Sequence, residues 1–273
     1  MTYLSPHFFI IGERKCGTSS LYRYLVAHPN VLPCQLKEPQ FFSKEPAFIR
    51  ANITDYLAMF PARKDQQDVS FVWPELNEAG VLYHEEVRTQ RIPGQPYWTG
   101  EASANTFHEG HPELVREFLP EIRLVLMLRE PVARAFSHHR MFVRFQEEGR
   151  DFAKGTRSFE EDMRAEMADD GQGGEFLAPG CYLRNLKKWE AVFPAEQVLV
   201  LFAEELDQQP QAVMDRLLDF LELPAHQYGE MLQKRFNHAP PAAIPAEIAA
   251  ELRAYYAPWN EALAEHLGRN LPW

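Results

Sequence analysis

The chain has 273 residues, of which 45% are apolar, and a net charge of −11. This is enough to bury a full hydrophobic core, and with no Ser/Gly-rich linker and no internal repeat it reads as one domain over residues 1–273. The acidic balance argues against non-specific binding to nucleic acid or another polyanion, and against residence on an anionic membrane. No stretch approaches the roughly 20 apolar residues that span a bilayer. Residues 1–12 place no basic segment before their short apolar run and do not read as a signal peptide. Cys16, Cys34 and Cys181, with no CxxC pair, fit a reduced cytoplasmic compartment and indicate neither a disulfide framework nor a metal site.

Residues 7–12 (HFFIIG) predict a buried strand. A polar loop over 13–18 follows. Residues 19–28 then carry Leu21, Tyr24, Leu25 and His28 at helical spacing, and Pro29 ends the helix. The stretch 42–96 reads mostly as helix and loop, with short pieces at 55–60 and 81–87. Residues 97–102 predict a second strand, and 112–119 a short helix opened by proline. The continuous apolar run RLVLML at 123–128 predicts a strand covered on both faces. Residues 132–145 are helical, and Ser158 with Glu161 forms a capping box at the next helix. The segment DDGQGGE at 169–175 reads as a mobile surface loop. Residues 180–193 are amphipathic, with Tyr182, Leu183, Leu186 and Trp189 as a core-packing stripe. Residues 197–202 form the last clear strand. Helices follow at 211–221 and 246–267, the latter kinked at Pro258. Apolar strands alternating with helices imply an α/β fold: a single P-loop-type domain whose central parallel sheet of about four to five strands carries helices on both faces.

The first strand runs into Gly12, Glu13, Arg14, Lys15, Cys16, Gly17, Thr18, Ser19 and Ser20. A glycine- and hydroxyl-rich turn between strand and helix gathers backbone N–H groups around one point, and the helix N-terminus adds partial positive charge there. Lys15 supplies a full charge; Thr18, Ser19 and Ser20 supply hydroxyl donors. The pattern is a phosphate cradle. Its nucleotide-triphosphate version places lysine directly after the second glycine, as G-x-x-x-x-G-K-[ST]. Here Lys15 precedes Gly17 and Thr18 stands in the lysine's place. That argues against an ATPase or GTPase. The alternatives are a Mg²⁺-dependent P-loop kinase or hydrolase, an inactive nucleotide-binding protein, and an ordinary strand-to-helix turn with a surface lysine.

Four further segments join this loop in a resemblance. They are His28-Pro29 with Lys37-Glu-Pro-Gln-Phe-Phe42; Leu126 to Ser137 (LMLREPVARAFS); Gly180 to Trp189 (GCYLRNLKKW); and the tail from Tyr256 to Trp273. Together, in this order and nearly end to end, they resemble the sulfotransferases that use 3′-phosphoadenosine-5′-phosphosulfate (PAPS), in the branch that includes the heparan sulfate sulfotransferases and bacterial relatives. The resemblance implies PAPS as co-substrate, no metal, and a small-molecule, lipid or carbohydrate acceptor. It implies that Lys15, Cys16, Gly17, Thr18, Ser19 and Ser20 bind the 5′-phosphosulfate, with Lys15 at the bridging oxygen. Arg129 and Ser137 are implied for the 3′-phosphate, and Lys234 and Arg235, with His238 ahead of Pro240 and Pro241, for a late basic loop over the nucleotide. Glu38 is implied as general base, a salt bridge with Lys37 being the plainer alternative. Glu101 and Ser103 are implied on the acceptor side. The sequence departs from the family pattern at Gln40, where histidine is usual, and at Ala104 and Thr106, where proline and tyrosine are usual. In the phosphate loop the Cys16 thiol reads as a small inert side chain.

Overall fold

A computed structural model describes residues 5–60, 68–76, 82–90, 96–169, 174–236 and 242–273. β1 (Phe8–Gly12) is buried at every position and leads through the phosphate turn into α1 (Thr18–Val26). Next come β2 (Val31–Pro33), α2 (Pro46–Leu57), β3 (Asp68–Leu76), β4 (Leu82–Gln90) and β5 (Trp98–Glu101). Then follow α3 (Thr106–Glu109), α4 (Pro112–Phe118), β6 (Arg123–Leu128), α5 (Pro131–Glu147), α6 (Phe159–Ala168) and α7 (Tyr182–Glu190). β7 (Val198–Phe202), α8 (Ala203–Gln208), α9 (Pro210–Phe220) and α10 (Ala246–Leu267) complete the chain.

Five strands form one sheet in the order β2-β5-β1-β6-β7, and every pairing in it is parallel. This is the expected α/β architecture. The two most apolar strands, β1 and β6, sit side by side at its centre, where both faces are covered by helices and polar side chains would lose water without return. Gly100 lets β5 lie close to β1: a Cβ there would fall 2.2 Å from the Phe8 carbonyl oxygen. The C-terminal ends of the strands, where open parallel sheets bind ligands, carry the phosphate turn and Arg129.

Two features differ from the sequence reading. β2 is a strand of only three residues, too short to give a periodic signal. Within 42–96, β3 and β4 form an antiparallel pair in register from Asp68↔Gln90 to Leu76↔Leu82, not helix and loop. The β4 sequence LYHEEVRTQ has too few apolar residues to stand out as a strand. α10 spans the helix expected at 246–267, with Pro258 inside it. The capping box is present, with the Glu161 amide donating to Ser158 Oγ at 3.3 Å and the Ser158 amide to Glu161 Oε2 at 3.1 Å. Tyr182, Leu186 and Trp189 are buried in the core as their spacing predicts. The centre of the loop expected at 169–175 lies outside the described residues, as do His238, Pro240 and Pro241. Among the described residues no helix is long and apolar enough to cross a membrane.

Candidate active site

The phosphate turn is shaped by two left-handed residues, Lys15 at φ 68° and Gly17 at φ 90°. The Glu13 amide donates to the Met127 carbonyl of β6 at 2.8 Å, and the Cys16 amide closes the turn onto the Glu13 carbonyl at 3.1 Å. α1 then starts at Thr18 without a side-chain cap. Amides in a first helical turn have no carbonyl one turn earlier, so this end of α1 presents donors to an anion. The Ser20 hydroxyl accepts from the Phe236 amide at 3.2 Å, and the Tyr24 hydroxyl donates to the Lys234 carbonyl at 2.6 Å. The late basic segment thus folds against the start of α1. Lys234 itself is exposed, and Arg235 pairs with Asp207 at 3.0 Å.

Lys15 is half-buried, with Nζ 4.0 Å from Met141 Sδ of α5. Burial lowers its pKa to about 8, aided by Arg144 and Arg129 and opposed by Glu38. Arg129, just past β6, donates from Nη1 to the Lys15 carbonyl at 3.1 Å, which brings the guanidinium onto the turn. Ser137, Met141 and Arg144 are spaced by four and three residues along α5 and share one helix face. The Met141 contact shows that this face looks toward Lys15. Met141 and Arg144 were missed by sequence reasoning, although their spacing from Ser137 was available.

Cys16 is enclosed within the turn. Its Sγ is fully buried, 3.7 Å from the Tyr182 hydroxyl. Burial, with Glu13 nearby, pushes the thiol up to about 12. Since its amide is bonded within the turn, Cys16 offers an anion neither thiol nor N–H. It is a packing residue of the loop.

Glu38 sits on a strap between β2 and α2 that is tied to the end of β5. The Ala102 amide donates to the Lys37 carbonyl at 3.3 Å. The Gln40 amide donates to Ser103 Oγ at 2.8 Å, with Gln40 at φ 50°. Ser103 in turn donates to Glu101 Oε2 at 2.5 Å, and Tyr56 donates to Glu101 Oε1 at 3.0 Å. Burial raises the Glu101 carboxyl to about 8 against these hydrogen bonds. Glu101 and Ser103 are both fully buried, and in this structure they brace the strap from beneath. Lys37 is also buried. Its Nζ donates to Ser19 Oγ at 2.5 Å and lies 3.2 Å from Glu38 Oε1. The Glu38 side chain keeps 31% exposure, so the Lys37 ion pair and an open carboxylate coexist.

Beside the turn lies an ionic cluster that the sequence did not reveal. Arg14 pairs with Glu109 at 3.1 Å and with Glu175 at 3.3 Å. Beneath it Glu13 is fully buried and raised to about 7 by desolvation, against the pull of Arg14 and Arg134. His138 is fully buried among Arg134, Phe142 and Phe176, and burial lowers its pKa well below the usual value. His139 contacts Asp162 at 3.2 Å.

A glycine-bearing anion turn at the end of the central parallel strand, with no lysine after its second glycine and with a carboxylate strap beside it, defines a P-loop-type group-transfer fold. The chain belongs to the sulfotransferase family, whose model matches residues 6–227. The crystal structure of a sulfotransferase from Alicyclobacillus acidocaldarius superposes with a TM-score of 0.65 at 29% identity, covering 98% of each chain. Human carbohydrate sulfotransferase 15 is 28% identical over 313 residues, taking in 96% of this chain and 53% of that protein. Human bifunctional heparan sulfate N-deacetylase/N-sulfotransferase 3 is 29% identical over 238 residues, taking in 83% of this chain and 23% of the relative. The chain thus spans about half, or less, of the length of these two human relatives.

Proposed function

We propose that the chain is a single sulfotransferase domain that moves a sulfuryl group from PAPS to a hydroxyl or amine by in-line displacement without a metal. The observation that carries this reading is the contact of Arg129 Nη1 with the Lys15 carbonyl. It makes a cationic turn and a second, strand-end cation neighbours, as a nucleotide with phosphates on both ends of its ribose requires. The donor set fits: first-turn amides of α1 with Thr18 and Ser19 for the 5′ end, and Arg129 with Ser137 for the 3′-phosphate. PAPS supplies a sulfuryl group whose S–O bond breaks with negative charge gathering on the departing oxygen. Lys15 is the residue placed to hold that charge, and a fixed cation there stabilises the transition state more than the ground state. Glu38 takes the proton of the attacking hydroxyl or amine. Lys234 and Arg235, on the segment folded against α1, flank the nucleotide.

An uncharged carbohydrate or comparable polyhydroxyl acceptor fits best. The relatives are named for carbohydrate acceptors, while Arg14, the partly exposed cation next to Lys15, is already matched by Glu109 and Glu175. A polyanion would have to displace those carboxylates.

Calorimetry with 3′-phosphoadenosine-5′-phosphate (PAP), ADP and ATP tests the reading. PAP is expected to bind more tightly than either, equally with and without Mg²⁺. Arg129→Ala should abolish most of that preference. Retained discrimination in the variant would remove Arg129 from the 3′-phosphate site, and a Mg²⁺-dependent preference for ATP would favour the kinase alternative.

A further inference from the structure

Lys37 has 2% of its surface exposed, and burying an ammonium is costly unless it is paired and hydrogen-bonded. Its two contacts belong to different parts of the site. Nζ donates to Ser19 Oγ on the first turn of α1 at 2.5 Å, and it sits 3.2 Å from Glu38 Oε1 on the strap. The backbone of Lys37 is fixed as well, through the Ala102 amide at the end of β5. One ammonium therefore spans the anion cradle and the carboxylate. An ionised carboxylate offers acceptor sites on both oxygens. Holding Oε1 restricts the Glu38 rotamer and leaves Oε2 for a proton.

We propose that Lys37 is a positioning residue for sulfuryl transfer. It orients Glu38 toward the acceptor and, through Ser19, ties that orientation to the phosphate turn. The proposal rests on Glu38 being the base. In the step itself the acceptor's proton passes to Glu38, the acceptor oxygen or nitrogen bonds to sulfur, and the S–O bond to the nucleotide breaks. Lys37 keeps its protons throughout. A purely structural ion pair would contribute to folding and nothing to the rate.

A double-mutant cycle separates the two roles. The probe reaction is the slow hydrolysis of PAPS by each purified variant, with water as acceptor, followed as PAP released; PAP affinity and thermal melting are measured alongside. Lys37→Met and Glu38→Gln are each expected to slow release by about 10-fold or more, the scale of a misplaced base. PAP affinity should change by less than about threefold. The double variant should be no slower than Glu38→Gln alone, because groups acting as a unit are not additive. Lys37→Arg, which keeps the charge, should recover part of the rate. A wild-type rate in Lys37→Met, or losses that multiply in the double variant, would overturn the proposal while leaving Glu38 as base. A wild-type rate in Glu38→Gln would overturn the base reading and this proposal with it. If Lys37→Met does not fold, Lys37→Arg is read in the same cycle, and multiplying losses there overturn the proposal equally.

Discussion

Lys15 is placed where its charge is needed and where it is hard to keep. Burial and the nearby Arg144 and Arg129 bring it to about 8, so without nucleotide the ammonium is lost as pH rises through that value. A bound polyanion favours the charged form. Nucleotide binding near pH 8 should therefore take up a proton, up to about one per site. The binding heat should then vary with the ionisation enthalpy of the buffer, and affinity should fall above pH 8. Lys15→Met should remove the buffer dependence, and identical heats across buffers for the wild type would contradict the assignment. At Glu38, substitution by Gln should reduce transfer to a working acceptor by about 10²-fold while PAP affinity is kept. Lys15, Arg129 and Ser137 were legible in the sequence because local motifs carry them. Lys37 was legible only as an ion-pair partner of Glu38; its burial and its tie to Ser19 were not, since only the fold decides which of the chain's lysines and arginines lose contact with water. The burial of Glu101 and Ser103 was hidden for the same reason.

At the level of elements, strength of pattern decided what could be read. FFIIG and RLVLML are apolar at nearly every position, and both are central strands. The three-residue β2 and the polar β4 had no such pattern, and β2 is paired only by the distant β5. α7 was clear from its stripe, and its anchor is Trp189, fully buried, donating from Nε1 to the Phe107 carbonyl of α3 at 3.0 Å. Trp189→Ala should cost about 3–5 kcal/mol in denaturant unfolding, as large buried aromatics do. Ser158→Ala, which removes one half of an exposed capping box, should cost only about 1 kcal/mol. If the two losses were equal, the packing role given to α7 would be wrong.

For the whole molecule, buried titratable groups set how stability depends on pH. Glu13 is raised to about 7 and Glu101 to about 8. Both bind their protons more tightly when folded, so their stabilising effect is complete below about 4.5 and lost as pH climbs through the folded values. His108, lowered to about 4, and His138, lowered well below its usual value by burial, work the other way: the cost of charging them is absent above 6.5 and grows as pH falls. Below 6.5 the two sets oppose one another; from there toward 8 the carboxyl contribution falls, and the depressed Lys15 works against it only as pH nears 8. The melting temperature should accordingly decline between pH 6.5 and 8, and Glu101→Gln should flatten that decline. A melting temperature that rises over this interval would show that neither carboxyl is protonated in the folded protein.

β1 pairs with β5 through Phe8↔Gly100 and with β6 through Phe8↔Arg123. The strand that ends in the phosphate turn is thus made well before either of its partners. A nascent chain must hold FFIIG unpaired across that interval, a long loop closure of the kind that slows folding. No fragment that stops before β6 can assemble the turn, because the Glu13 amide bonds to Met127. Nucleotide capture is therefore a late event in the life of each molecule, reserved for chains whose central sheet has already closed.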